Sequence, residues 1–179
     1  MKIRQTSWVD LPILMDMFDY GRKLQRQLGN IYQWQNGDPS QAVLEADIQS
    51  GHSYVCVTDE AEEPLLPKGT IVATFYLLQD HNPLFDTLTN GDWLSHDPYV
   101  TIHRMCTNGK LKGASQYCMR WVLDHYSNIR IYTHETNKPM IHVIQKFGFS
   151  FCGHIFPADG EARNAYHYVA NEQLKEVIS

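Results

Sequence analysis

The chain is poor in several things, and each shortage excludes a class of protein. None of its stretches reaches the roughly 18 consecutive apolar residues of a membrane-spanning helix, and no apolar run follows the charged start Met1-Lys-Ile-Arg-Gln-Thr. A soluble, cytoplasmic protein is the expectation, with no membrane partner. Basic residues are also in deficit. Fifteen Lys and Arg against twenty Asp and Glu leave a net charge of -5, so the surface offers nucleic acid no general attraction and any anion site must be local. The four cysteines, Cys56, Cys106, Cys118 and Cys152, contain no C-x-x-C pair, which argues against a zinc ribbon or redox couple and for buried, reduced thiols. His134, His142, His154 and His167 match no ligand spacing, so no metal is expected. Repeats and low-complexity segments are absent.

What remains is an ordinary globular composition, 43% hydrophobic over 179 residues, enough for one domain spanning 1–179 and little more. Alternation predicts strands over residues 2–6, 53–58, 70–78, 99–107, 128–134, 149–155 and 164–169. Helical spacing predicts helices from Asp10 to about Leu28, from Ser40 to Ile48, from Gly113 through His125, and from Lys138 to Phe147. The runs 53–58 and 70–78 should pair as antiparallel neighbours across an acidic connection from Asp59 to Gly69. Residues 30–39 read as a loop between helices. Residues 80–98, with Pro83, Trp93 and Pro98 and no clear period, read as a long loop of the kind that tends to carry function. This order of elements predicts an α/β fold with a mixed sheet.

The most informative stretch is Thr101-Ile-His-Arg-Met-Cys-Thr-Asn-Gly-Lys-Leu-Lys-Gly-Ala-Ser-Gln116, where a strand ends in a short basic turn that opens a helix. Glycine lets such a turn approach a ligand closely. The first helical N–H groups have no intrahelical partner, and the helix dipole adds positive charge there, so a phosphate-bearing ligand is expected. Gly109 to Ser115 lacks the Gly-Lys-Ser/Thr ending of a P-loop, and no G-x-G-x-x-G follows a strand.

With the second stretch Tyr132-Thr-His-Glu-Thr-Asn-Lys-Pro-Met140, running into Lys146-Phe-Gly-Phe149, the chain resembles the Gcn5-related N-acetyltransferase (GNAT) superfamily over nearly its whole length. Gln33-Trp-Gln35 and Ile102-His-Arg104 are similar to a bacterial subgroup of uncharacterised members. The resemblance implies a mixed, mostly antiparallel central sheet of about seven strands flanked by about four helices. It departs from the family pattern Arg/Gln-x-x-Gly-x-Gly/Ala: aligned on Ala114, Gly109 stands in place of the Arg or Gln and Lys112 in place of the first Gly, in a shortened turn.

The reaction implied is transfer of acetyl from acetyl-CoA, as acyl-donor cosubstrate, to a primary amine on a small molecule or an exposed amino group. Backbone and side chains from Met105, Cys106, Thr107, Lys110, Lys112, Gly113, Ala114 and Ser115 would hold the donor, with Met105 N–H also at the thioester oxygen. Asn137 would bond the pantetheine arm, or simply cap the helix starting at Lys138. His103, expected on one face with Thr101 and Met105 and opposite Cys106, is the candidate general base, as in serotonin-type members of the family. Its alternative is a satisfied histidine beside Arg104. Cys106, without His and Asp partners at useful spacing, is not read as a nucleophile. The tyrosine that many members place seven residues after the leading Asn is Ile144 here, so Tyr99 or water must protonate the thiolate. Tyr32, Trp34 and Trp93 are acceptor-pocket candidates whose alternative is plain packing. A non-catalytic acyl-CoA-binding or sensing module is the second reading and a generic nucleotide-binding domain the third. Relatives of this kind often dimerise, and a homodimer is admitted without a self-complementary face to point to.

Overall fold

The computed structural model describes residues 1–60 and 66–170. Of the acidic connection, residues 61–65 lie outside this range. Strand β1 (Lys2–Gln5) leads through a short 3-10 turn into α1 (Leu11–Gln27). Asp10 closes that turn by accepting from Ser7 N at 2.8 Å and from both terminal nitrogens of Arg4 at 2.7 and 2.9 Å. Helix α2 (Gln41–Gln49) begins where Ser40 Oγ accepts from Val43 N. There follow β2 (Ser53–Val57), β3 (Ile71–Leu78), β4 (Val100–Thr107), α3 (Ala114–His125), β5 (Asn128–Thr133), α4 (Lys138–Lys146), β6 (Ser150–Ile155) and β7 (Arg163–Val169). No helix among the described residues is long and apolar enough to cross a membrane.

The seven strands form one sheet in the order β1-β2-β3-β4-β5-β7-β6. All neighbours are antiparallel except β4 and β5, which run parallel and pair only at Val100 with Ile129 and Thr101 with Arg130. Beyond those pairs β4 stays with β3 as far as Thr107, while β5 stays with β7 as far as Thr133. The sheet is therefore two halves joined by a short seam that opens into a gap.

A bulge in β4 changes which residues face which way. Tyr76 pairs with His103 and Thr74 with Cys106, so two steps along β3 match three along β4, and Arg104 takes the left-handed conformation at φ 50°. Thr74 and Tyr76 share a face by alternation, and so do their partners Cys106 and His103. The expected sharing of one face by His103 and Met105, with Cys106 opposite, is thereby corrected. Met105 instead joins Ile102 in the core under α3 and α4, with Phe75, Cys118, Met119, Val122, Ile129 and Ile144. Cys106 belongs to the second core, with Leu14, Met17, Phe18, Leu44, Val55 and Val57 beneath α1 and α2. Burial of Leu14, Met17 or Phe18, none more than 2% exposed, stabilises the fold by roughly 1.5–3 kcal/mol each. On α3, Met119 is fully buried while His125, expected in the buried stripe, is exposed.

The long loop 80–98 is fastened rather than free. Its 3-10 turn Pro83–Thr87 is capped by Asn82 Oδ1, which accepts from Leu84 N, and buries Phe85 at 1% exposure. Thr89 and His154 exchange two backbone hydrogen bonds of 2.9 Å, stitching the loop to β6. Gly91 lies so close to β6 that a Cβ there would sit 2.0 Å from Cys152 O. Gly91→Ala must push loop and strand apart, and is expected to destabilise the protein by about 1–3 kcal/mol in chemical denaturation. An unchanged midpoint would show that the loop is not held against β6.

Candidate functional site

The divergence of β4 from β5 leaves a cavity of about 690 Å3. Ile102 to Met105 line one wall and Ile131 to Thr133 the other, with Asn137 and Met140 at the start of α4. Residues 32–36 and 38 close one side, and Pro157, Asp159, Glu161 and Arg163 from the β6–β7 connection another. On the β5 side, β4 has no strand partner past Thr101, so backbone polar groups along that edge are available to a ligand.

His103 is half-buried in this wall, its ring 5.5 Å from that of Tyr132 across the gap and 6.3 Å from Tyr76. Its Nε2 is buried without a hydrogen-bond partner among the described residues. Burial, with the Arg104 charge as a lesser cause, pulls its pKa down to about 3, so the imidazole is neutral throughout the physiological range. Arg104 itself is tied to Asp47 of α2 by two 2.6 Å hydrogen bonds and lies 4.6 Å over the Tyr76 ring. Burial raises the Asp47 pKa despite these bonds. Cys106 does not reach the cavity: its Sγ donates to Met17 O at 3.4 Å, and burial pushes the thiol up to about 12, which leaves no thiolate for nucleophilic work. All four cysteines are buried and none is in a disulfide.

Asn137 is the most heavily bonded side chain of the site. Its Oδ1 accepts from Met140 N at 3.4 Å, capping α4, and from Gln25 Nε2 at 3.0 Å; its Nδ2 donates to Thr133 Oγ1 at 2.9 Å and Gln33 Oε1 at 3.3 Å. Gln25 in turn accepts from Asn30. One amide thus joins α1, the loop 30–39, β5 and α4. The capping role is present, and a ligand bond from Asn137 would have to displace or share one of these partners.

The turn after β4 carries Gly109 and Gly113 at φ 72° and 89°, conformations that a side chain strains. Asn108 sets it by donating to Ile71 O and accepting from Lys110 N. Tyr20 packs so tightly on Gly109 that a Cβ would lie 2.2 Å from its hydroxyl. Lys110 and Lys112 are exposed, Ala114 is buried, Ser115 is half-buried, and Gly113 caps α3, whose first N–H groups have no partner within the helix. From Met105 to Asn108 is roughly 10 Å of strand, so turn and cavity lie along one edge of β4, with Thr107 between them.

Two acceptor-pocket candidates line the cavity. Tyr32 stacks on His134 at 4.6 Å, and Trp34, in left-handed conformation, sets its edge against Phe18 at 5.1 Å. Trp93 and Tyr99 do not. They line a separate cavity of about 370 Å3 and sandwich the Arg130 guanidinium, 4.1 and 3.8 Å from their ring centres. Phe85 packs on Tyr99 and on Tyr132 and walls the two cavities apart. Tyr99 is therefore corrected as a hydroxyl for the reacting centre, and Trp93 as an acceptor contact. Conversely, sequence reasoning missed Tyr132, Arg104, Gln25 and the mouth residues Asp38, Asp159, Glu161 and Arg163. Only Tyr132 had a local signal, its place in the β5 stretch leading to Asn137. Among the described residues no group of three or more His, Cys, Asp or Glu is arranged to hold a metal.

No protein-family model and no curated protein matches the sequence. Solved structures do match. An acetyltransferase of the GNAT family from Streptococcus agalactiae is 24% identical, with 96% of each chain covered and a TM-score of 0.83. A candidate acetyltransferase from Salmonella typhimurium, solved with its cofactor acetyl-CoA, is 12% identical over 96% of this chain and 94% of its own, with a TM-score of 0.58. A ribosomal-protein-alanine N-acetyltransferase from Brucella melitensis is 13% identical over 94% and 99%, also at 0.58. The chain therefore has the fold of GNAT acetyltransferases, a seven-stranded mixed sheet with four α-helices among its described residues.

Because Asn137 caps α4 and satisfies Gln25 and Thr133, Asn137→Ala is expected to lower stability by about 1–3 kcal/mol in urea or guanidinium unfolding. A loss below about 0.5 kcal/mol would show the network to be dispensable to the fold.

Proposed function

We propose that the protein is an acetyl-CoA-dependent N-acetyltransferase, moving acetyl to a primary amine by direct attack on the thioester. The observation that carries this reading is the gap between β4 and β5, open along one strand edge to a glycine-bearing, lysine-flanked helix start. The GNAT fold, and the Salmonella structure solved with acetyl-CoA, support the same donor. Lys110, Lys112 and the N–H groups of Gly113 to Ser115 would hold its phosphates, and the freed edge around Met105, Cys106 and Thr107 its amide-bearing arm. Met105 N–H is our choice for stabilising the oxyanion, a role that leaves its side chain in the core. Asn137 is assigned to the pantetheine arm by exchanging its Gln33 bond, the longest of its side-chain pairs.

The acceptor enters from the mouth formed by Tyr32, Trp34, Asp38 and the β6–β7 connection. His103, lining the cavity with an unpartnered nitrogen, is our choice for the group that takes the amine's proton. At a pKa of about 3 it is too weak to deprotonate a free ammonium. It can take the far more acidic N–H proton that appears as nitrogen attacks, so the amine must arrive neutral. The acceptor is a small-molecule amine or an exposed amino group, and the four reduced cysteines fit a cytoplasmic location.

A second reading, a non-catalytic acyl-CoA-binding module, is favoured by Ile144. That residue is fully buried, so α4 offers no hydroxyl there for the leaving thiolate. Acetyl-CoA turnover over a panel of primary amines separates the two, since binding without transfer to any acceptor supports the module. For the enzyme, the rate is expected to rise with pH along the acceptor's own amine titration. The sign for His103 is fixed: its folded pKa is depressed, so it titrates near 3 and adds no step near 6.5. His103→Ala is expected to lower kcat by about 100-fold or more with acetyl-CoA binding retained. A pH step near 6.5 that vanishes in that variant would refute the neutral-histidine assignment.

A further inference from the structure

The proposed reaction needs a proton at the departing sulfur, and the cavity narrows the choice of donor. Ile144 is sealed in the core, and Tyr99 lies in the other cavity, behind Phe85. Three hydroxyl-bearing residues line the gap: Tyr32, Tyr132 and Thr133. Tyr32 is exposed at the mouth and stacked on His134, and Thr133 Oγ1 is engaged by Asn137. Tyr132 is different. It stands on β5 directly across the gap from His103, ring against ring at 5.5 Å, with its back on Phe85 at 5.9 Å. Its hydroxyl has no hydrogen-bond partner among the described residues, and its electrostatic neighbours, Arg104, Arg163, Asp38 and Asp159, are all cavity-lining groups.

We propose, on the acetyltransferase reading above, that the Tyr132 hydroxyl is the proton donor to the thiolate of coenzyme A. As the amine nitrogen bonds to the thioester carbon and the carbon–sulfur bond breaks, the sulfur takes the electron pair and the Tyr132 proton. The nitrogen gives up its extra proton to His103, whose ring adjoins Tyr132, and His103 returns it to the phenolate. Amine and thioester thus become amide and thiol with both side chains restored. Burial raises the Tyr132 pKa, which keeps the hydroxyl protonated until it is needed.

Tyr132→Phe keeps the ring on Phe85 and removes only the hydroxyl. The expected result is a fall in kcat on the order of 100-fold with the KM for acetyl-CoA and the calorimetric Kd for CoA within about twofold. A second readout needs no turnover: the pKa of the thiol of bound CoA, followed by thiolate ultraviolet absorbance, should rise by about one unit in the variant, because a hydrogen bond to the thiolate is lost. An unchanged thiol pKa, or a kcat loss under about threefold, overturns the proposal, as does loss of CoA binding together with kcat, which marks a packing role. A wild type that transfers acetyl to no amine, yet whose bound thiol still responds to the substitution, defeats the acetyltransferase reading while upholding the contact between Tyr132 and sulfur.

Discussion

The site depends on one polar anchor, the pairing of Arg104 with Asp47. An arginine in left-handed conformation costs on the order of 1–2 kcal/mol, and nothing local to the Ile-His-Arg-Met run repays it. The two short bonds to Asp47 and the stack on Tyr76 do, holding an extra residue in β4 against α2. That residue turns His103 and Cys106 to one face and Met105 into the opposite core, beside the point where β4 parts from β5. A continuous parallel ladder would have consumed these backbone groups. The bulge and the early end of pairing leave them for a ligand.

The opposite wall is held by a second polar device. Asn137 binds four elements through one buried amide, and all of its hydrogen-bonding capacity is spent on the protein. Between the anchors lies one buried atom with none spent, His103 Nε2, facing the half-buried Tyr132 ring across the gap. A buried polar atom without a partner costs about 1–3 kcal/mol, which a rigid frame can sustain and a bound substrate can recover. The contrast between saturated supports and unsaturated centre is what separates framework from chemistry here.

How much of this the sequence disclosed follows from the range of each interaction. Helix and strand limits came within a residue or two because stripes, alternation, the caps Ser40 and Asn137 and the glycine turn are local. The Arg104 bulge has no local mark, since Arg is not a residue that signals positive φ and its partner lies 57 positions away. Strict alternation therefore misassigned Met105 and Cys106. Asn137 was legible as a cap from its neighbours, whereas its bonds to Gln25 and Gln33 arise only when α1 and α4 meet. Tyr99 and Trp93 were drawn toward the site by lying in an irregular segment, a cue about backbone regularity that says nothing of where a ring points.

The fate of that segment bears on acceptor choice. Arg130 lies between the faces of Trp93 and Tyr99 and donates to Ser95 O, while buried His167, its pKa down to about 4 through burial, accepts from Leu94 N. The loop 80–98 is thus committed to structure, pinned by a buried cation at the closed end of the seam. On the proposed reaction, acceptor recognition would fall to the two other connections, residues 30–39 and 157–163, both of which line the cavity. There Asp159 is matched by Arg163 and Arg104 by Asp47, while the carboxylates of Asp38 and Glu161 have no cation partner among the described residues. A mouth with that surplus attracts cations, which under the proposed reaction would include a protonated amine, although the transfer itself would need the neutral form. On the proposed reaction, attraction at the rim and neutrality at His103 would make proton loss on entry part of the path to the reacting centre.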